Sequence, residues 1–402
     1  MTDSAAHGAT RDMRVGMCQS GGLSALTVAL WLTEQGYDVV NFVADIGQAS
    51  PGEVASRAGA LEAAGLAVEL VDLRAEMAET CFDLVRYQAS YDGGYWNTTG
   101  AARAVLVAGL SPVMRARGCG VLAHGCVGGG NDQRRFDRYT RALAPDLATF
   151  VPWTRPEMLE RFPSRAAMVE YVTTAGLDAE AGADASYSID ANLGGISHEH
   201  EHLEDLTTPV TFLRPLRSAW PQDAPDAVEK FAVTFEHGRA VAVGGAAASP
   251  LECMLAAGEV AARNGVWLRN VVENRIAGTK CRGVYEAPAL ELLGRCASEL
   301  YQVTLDERSQ ALFAELSRLL ARHVYEGRYF EPSARAARLA ADAVTEAASG
   351  TVEVDLYKGN VTFHSVHGYG DAAVRERRFG AGGHRWEAEA DPEPVAAGRE
   401  GR

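Results

Sequence analysis

No apolar run in this 402-residue chain approaches the ~20 residues that a membrane-spanning helix needs, and its first dozen residues are polar, so neither a transmembrane segment nor a signal peptide is expected. A C-x-x-C pair is also missing. The seven cysteines (Cys18, Cys81, Cys119, Cys126, Cys253, Cys281 and Cys296) are odd in number and widely spaced, unlike a zinc ribbon or a disulfide framework, which suits a cytoplasmic protein. Positive charge is in short supply: 38 Lys and Arg face 53 Asp and Glu, a formal net charge of −15. That balance argues against duplex nucleic acid or an anionic membrane as partner, while leaving room for a small anion held by local N–H groups. No internal repeat is evident. The 47% hydrophobic and 23% charged content is that of an ordinary enzyme-sized protein with room for two domains.

Residues 13 to 48 carry the first strong pattern. An apolar run from Met13 to Cys18 breaks into Ser20-Gly21-Gly22-Leu23, and a helix then runs to Gly36, with Ala25, Val28, Ala29 and Leu32 on one face. A strand that hands over to a helix through paired glycines leaves backbone N–H groups unpaired where the helix dipole favours negative charge, so such a turn suits phosphate. The same glycines also serve ligand-free tight turns. The next run, Val39 to Ala44, closes a β-α-β unit.

Further strands are expected at Leu66 to Val71, Gly120 to His124 and Thr149 to Trp153, alternating with helices at Pro51 to Ala64 and Arg103 to Arg117. This implies an α/β fold, a doubly wound parallel sheet forming a nucleotide-binding domain over residues 13–178. A Gly/Ala/Asp stretch at Gly176 to Asp184 reads as a linker. A second α+β domain over 179–370, catalytic and multimerising, has scattered strands and long helices near Pro250 to Asn264 and Arg308 to Gly350. Residues 1–12 read as an N-terminal extension and 371–402 as a mobile tail.

The richest polar segment runs from Ala123 to Phe136, four glycines with Asn131, Asp132 and Arg135 at the end of a strand. Glycines let backbone approach a nucleotide, and the side chains offer an amide, an acceptor and a fixed cation.

At these positions the sequence resembles the argininosuccinate synthase family, of the N-type ATP pyrophosphatase group. The likeness runs in order through Ser20-Gly21-Gly22-Leu23, Ala44-Asp45-Ile46-Gly47-Gln48, His124-Gly125-Cys126, Gly130-Asn131-Asp132-Gln133, Leu143-Ala144-Pro145, Pro152-Trp153, Tyr187-Ser188-Ile189-Asp190, Val272-Glu273-Asn274-Arg275, Val284-Tyr285-Glu286-Ala287-Pro288 and Leu356-Tyr357-Lys358-Gly359-Asn360. The resemblance implies an AMP-forming C–N ligase that uses ATP with Mg2+ and joins citrulline, or an analogue, to aspartate, or an analogue. It implies ATP contacts from Cys18, Gln19, Ser20, Gly21, Gly22, Leu23 and Ser24 (the loop reaching Leu26), with Ala44, Arg103 and Gly125. Citrulline contacts fall on Tyr95, Asn131, Arg135, Ser188, Ser197, Glu273 and Tyr285, and aspartate contacts on Thr99, Asn131 and Asp132. Arg103, Asn131 and Asp132 are the catalytic candidates. A homo-oligomer, tetramer or dimer, is implied too. Each residue also has a plain structural reading: half-buried aromatics for the tyrosines, turn or cap hydroxyls for the serines, a surface ion pair for Glu273.

The chain departs from the family where polar groups matter. The loop continues into Ser24-Ala25-Leu26 instead of Asp-Thr-Ser, Val127 and Gly129 replace a Thr and a Lys, and Gly94 and Gly100 stand where an Arg and a Ser are usual. These losses suggest different substrates, possible specialised metabolism, or alternatively a catalytically reduced nucleotide-binding or regulatory paralogue. Alternation would put His198, His200 and His202 on one side of an extended segment, leaving open a metal site, a substrate contact or an inert polar strand; no residue is assigned as a metal ligand.

Overall fold

The computed structural model describes residues 12–178, 188–199, 201–215 and 217–370. Five parallel strands, β1 (Arg14–Gln19), β2 (Val39–Asp45), β3 (Ala67–Asp72), β4 (Cys119–His124) and β5 (Ala148–Phe150), lie in the order β3-β2-β1-β4-β5. Helices α1 (Leu23–Glu34), α2 (Pro51–Ala63), α3 (Arg74–Arg86), α4 (Thr98–Ala116), α5 (Asn131–Leu143), α6 (Pro156–Arg161) and α7 (Arg165–Thr174) connect and follow them. Strand order reverses between β1 and β4, so the crevice beyond their carboxyl ends is where a doubly wound sheet takes its ligand. Both glycine-rich segments open there.

Beyond them come β6 (Ser188–Asn192), β7 (Gly195–Glu199), β8 (Glu229–Glu236), β9 (Arg239–Val243), β10 (Ala246–Ala247), α8 (Pro250–Arg263), β11 (Leu268–Asn274), β12 (Lys280–Glu286), α9 (Pro288–Thr304), α10 (Glu307–Glu326), α11 (Pro332–Thr345), β13 (Gly350–Tyr357) and β14 (Asn360–His367). They form two antiparallel sheets, β11-β12-β7-β6 and β10-β9-β8-β13-β14. The α/β class with a parallel sheet and a second α+β part is therefore observed.

Local chemistry explains the helix starts. Ser50 with Glu53 and Ser249 with Glu252 form reciprocal capping boxes on α2 and α8, and Asp306 caps α10 through the Ser309 N–H. Four expectations need correction. Helix α1 is buried around most of its circumference, including Leu23, Leu26, Thr27 and Trp31, because it is sandwiched rather than half-solvated. Strand β5 stops at Phe150, since Pro152 opens a 3-10 turn. Helix α4 starts at Thr98, five residues early, behind Asn97 in the left-handed region (φ 56°). The stretch from Arg308 to Gly350 is two helices, because Gly327 (φ 75°) ends α10 and Pro332 restarts the chain. The proposed N-terminal extension, linker centre and tail lie outside the described residues.

Asn97 is fully buried and its amide donates to the carbonyls of Ala89 and Ala321, both at 3.0 Å, tying the start of α4 to α10. Asn97→Ala removes both hydrogen bonds, of which the one to the Ala321 carbonyl is additional to that carbonyl's place in the α10 ladder, and keeps an unfavourable φ. We expect it to lose about 1–3 kcal/mol of stability in chemical denaturation. A loss below the measurement error would mean that the tie is not stabilising.

Candidate functional site

The turn after β1 is held by its own side chains. Gln19 Oε1 accepts the Gly21 N–H (2.9 Å), Gln19 Nε2 donates to the Ala25 carbonyl (3.3 Å), and Ser20 Oγ accepts the Gly22 N–H (3.3 Å). Gly21 sits at φ 77°, which a side chain would resist. Helix α1 begins at Gly22 with no side-chain cap, so the amides of Leu23 and Ser24 have no partner among the described residues. Leu26 packs into the core, whereas Val127 is 61% exposed. Cys18 is buried and its thiol is pushed up to about 12 by desolvation, so it stays protonated. Ala44, also buried, ends the second strand, where Gln48 clamps the turn by donating to the Ala44 carbonyl and accepting the Ile46 N–H.

Gly125 belongs to close packing. A Cβ there would lie 2.6 Å from Ala25 Cα, so the glycine lets the end of β4 touch the start of α1. The preceding His124 is buried and stacks on Phe136; burial holds its ring neutral, down to about 4. Its Nδ1 accepts the Cys126 N–H, which leaves Nε2 carrying the proton with no partner. Arg103 Nε is likewise buried without a partner. Two orphaned donors beside an uncapped helix start suit an anionic ligand such as a nucleotide.

From α4, Arg103 donates to Asp132 (2.9 Å) on α5 and to Asp190 (2.6 Å) on β6, while Arg135 donates to Asp132 at 2.8 Å. Burial opposes every charge here, yet the two carboxylates raise the Arg103 guanidinium above its ordinary value and the two guanidiniums hold Asp132 below its own.

The four-stranded sheet supplies the facing wall. Cross-strand pairing sets Glu273 opposite Cys281, Gly283 opposite Glu199, Tyr285 opposite Ser197, Asp190 opposite Ser197 and Ser188 opposite Glu199. Directly paired residues share a face, so Ser188, Asp190, Ser197, Glu199, Glu273 and Tyr285 line one side. Glu273 accepts hydrogen bonds from Tyr285 (2.7 Å) and Tyr325 (2.6 Å). Tyr325 in turn accepts from Asn131 Nδ2 (3.0 Å), and its carbonyl accepts Arg135 Nε (2.7 Å). Tyr285 stacks on Tyr95 with centroids 3.9 Å apart, and the Tyr95 hydroxyl accepts the Thr99 N–H. Thr99 Oγ1 lies 3.5 Å from Ser197 Oγ. Gly283 makes this possible, for a Cβ would collide with the Tyr285 ring.

The structure thus brings Tyr95, Thr99, Arg103, Asn131, Asp132, Arg135, Ser197, Glu273 and Tyr285 into one connected cluster. Ser188 is on the same sheet face but exposed. Asp190, Glu199, His124 and Tyr325 were missed as site residues, although Asp190 and His124 stood inside the quoted motifs; nothing local marks Tyr325, 194 residues from Asn131. Among the departures, a Cβ at Gly100 would meet the Val324 carbonyl at 2.7 Å, so α10 occupies that space. At Gly94 the neighbour is Arg269, a cation bound to Glu291.

His198 and His202 do not share a strand side. His198 on β7 is buried against Glu286 (3.4 Å) on the opposite sheet face, His202 sits in a 3-10 turn against Phe212, and His200 lies outside the described residues. Among the described residues no group of three His, Cys, Asp or Glu could hold a metal ion.

Residues 14–178 match the family model described as "Arginosuccinate synthase N-terminal HUP domain", and residues 187–368 the one described as "Arginosuccinate synthase C-terminal domain". Curated relatives named argininosuccinate synthase include that of Idiomarina loihiensis, 37% identical over 356 residues, covering 87% of this chain and 86% of the relative. The Erythrobacter litoralis protein is 34% identical over 352 residues (86% of each chain), and that of Shewanella denitrificans 33% over 358 residues (87% and 86%).

Four carboxylates (Asp132, Asp190, Glu199, Glu273) face two guanidiniums in this cluster, and Glu199 pays with its acidity: burial first, then Glu273 and Asp132, push it up to about 7. Above the ordinary glutamate value of 4.5 the folded chain therefore binds a proton that the unfolded chain has lost, so this group's contribution falls as pH rises through about 7. Glu199→Gln removes the dependence. The melting-temperature difference, variant minus parent, is expected to be larger at pH 8 than at pH 5; a difference that is flat or shrinks with pH contradicts a raised Glu199.

Proposed function

Because the chain belongs to the argininosuccinate synthase family, we propose that it is an ATP-dependent, AMP-forming C–N ligase that joins citrulline or a close ureido analogue to aspartate or a related amine. The observation that carries this reading is the continuous polar cluster from Arg103 through Asp132, Arg135 and Asn131 to Tyr325, Glu273 and Tyr285. A fold alone requires no such cluster.

In the first step the ureido oxygen attacks the α-phosphorus of ATP, an O–P bond forms, and pyrophosphate leaves with the electrons of the broken bond. The Leu23 and Ser24 amides and the α1 dipole suit the growing charge on the leaving group. In the second step the amine loses a proton, its nitrogen attacks the adenylated carbon, and the C–O bond breaks to release AMP. Asn131, Arg135, Glu273, Tyr285 and Ser197 are assigned to the ureido amino acid, and Thr99, Asn131 and Asp132 to the amine. Arg103, fixed between Asp132 and Asp190, holds the two regions in register. The loop keeps no carboxylate, so Mg2+ would travel with the nucleotide, held by phosphate oxygens and water.

Ser24, Ala25 and Leu26 favour a second reading, a paralogue that binds nucleotide without releasing pyrophosphate. Seven unpaired thiols support a cytoplasmic location, and no described helix is long and apolar enough to cross a membrane. Exposed Leu312 and Leu319 on α10 and Leu339 on α11 support self-association into a homo-oligomer.

Purified protein given ATP, Mg2+, citrulline and aspartate should yield AMP and pyrophosphate in equal amounts. Asp132→Asn, which weakens two charge-assisted bonds worth about 1.5–3 kcal/mol each, should cut kcat/KM at least ~10- to 100-fold. ATP binding by calorimetry with no AMP from any ureido acceptor and amine would select the second reading, and no nucleotide binding would sink both.

A further inference from the structure

Helix α5 carries arginines on two faces. Asn131 and Arg135, four residues apart, point into the cluster described above, while Arg134, Arg138 and Arg141 follow one another at helical spacing on the other side. There they line a cleft of about 520 Å³ shared with the turn between α10 and α11, which adds Arg328 and Glu331. Counting Asp137 as well, the lining holds four arginines and two carboxylates, a positive island on a chain of net charge −15.

The carboxylates neutralise it only in part. Asp137 pairs with Arg141, and Arg328 is held by both Glu331 (2.5 Å) and the neighbouring Glu326 (3.0 Å), which leaves Arg134 and Arg138 without a carboxylate partner among the described residues. Among the described residues Arg138 donates to the Glu326 carbonyl. Burial first, then Arg328 and Arg134, disfavour the Arg138 cation and together outweigh Glu326 and Glu331, which favour it. A compact dianion would relieve that repulsion and use the planar donor edges of several guanidiniums.

The cleft is mechanically joined to the cluster. Arg135 donates to the Tyr325 carbonyl and Arg138 to that of Glu326, the next residue, while a Cβ at Gly327 would lie 2.8 Å from Arg135 Cα. One short segment therefore touches the cleft on one side and carries the Tyr325 hydroxyl to Glu273 on the other.

We propose that this cleft is a second anion site, taking a phosphate group outside the nucleotide crevice, and that its occupancy draws Arg138 from the Glu326 carbonyl and weakens acceptor binding through Tyr325. The coupling rests on the ligase reading; the binding does not. The source is free inorganic phosphate or product pyrophosphate, and separate titrations tell them apart.

Calorimetry with the full chain, its nucleotide crevice saturated by α,β-methylene ATP, should show one inorganic phosphate per chain, with pyrophosphate binding more tightly if the product is the source. The double reversal R134E/R141E should weaken this at least tenfold, and R134Q/R141Q, in case reversal disturbs folding, should weaken it less. In rate assays phosphate should raise KM for the ureido acceptor with kcat unchanged, and the double variants should lose that effect while keeping basal activity. Absence of phosphate binding, or binding that ignores both double variants, overturns the site; binding that leaves KM unmoved overturns the coupling. If the ligase reading alone fails, the isotherms still decide the site.

Discussion

Arg103 is the side chain on which the site depends. It rises from α4 of the parallel-sheet half, reaches Asp132 on α5 at 2.9 Å, and at the same time reaches Asp190 on the antiparallel sheet at 2.6 Å. A guanidinium is suited to this because it stays charged when buried and offers several donors in a fixed plane. Only 12% of the side chain is exposed, so its attraction to both carboxylates is little screened, and removing either partner would leave charge stranded in a poorly solvated place. Breaking the link would release the loop after β4 and the edge strand β6 together.

The remaining geometry follows from period-two alternation and close packing. Alternation puts two hydroxyls, two carboxylates and a tyrosine from three strands, with Glu273 from a fourth, on one sheet face, although they are spread over nearly a hundred residues of sequence. Stacked pairs, Tyr95 on Tyr285 and Tyr91 on Tyr325, both with centroids 3.9 Å apart, then wall the cluster with rigid rings. Glycines at 100, 125 and 283 are spent on letting backbone or ring approach, so their presence reflects packing as much as ligand access.

Much of this was legible in the sequence. The strand-glycine-helix passage at Ser20 to Leu23 and the polar run at Asn131 to Arg135 announced the crevice because the chemistry is local: the residues that act together are adjacent. The alternation of strands and helices likewise gave the parallel sheet. What escaped was long-range. Tyr325 lies in the middle of a helical pattern and acquires its role only when α10 crosses α5, and Glu199 looks like any strand-edge glutamate until Glu273 and Asp132 are brought beside it. The histidine run misled for the opposite reason, since alternation was extended to His202, which lies in a 3-10 turn. The losses at Ser24, Ala25 and Leu26 were visible, but not that Gln19 and Ser20 hold the turn open from within.

The first half-reaction isolates the central claim, because it needs the nucleotide loop and the ureido cluster to act on one another. Labelled pyrophosphate can be incubated with the protein, ATP, Mg2+ and a ureido acceptor in the absence of any amine, and its return into ATP followed. Exchange that appears with the acceptor and vanishes without it is the expected result. Exchange that is indifferent to the acceptor, or absent while ATP demonstrably binds, would contradict a ligase built around Arg103.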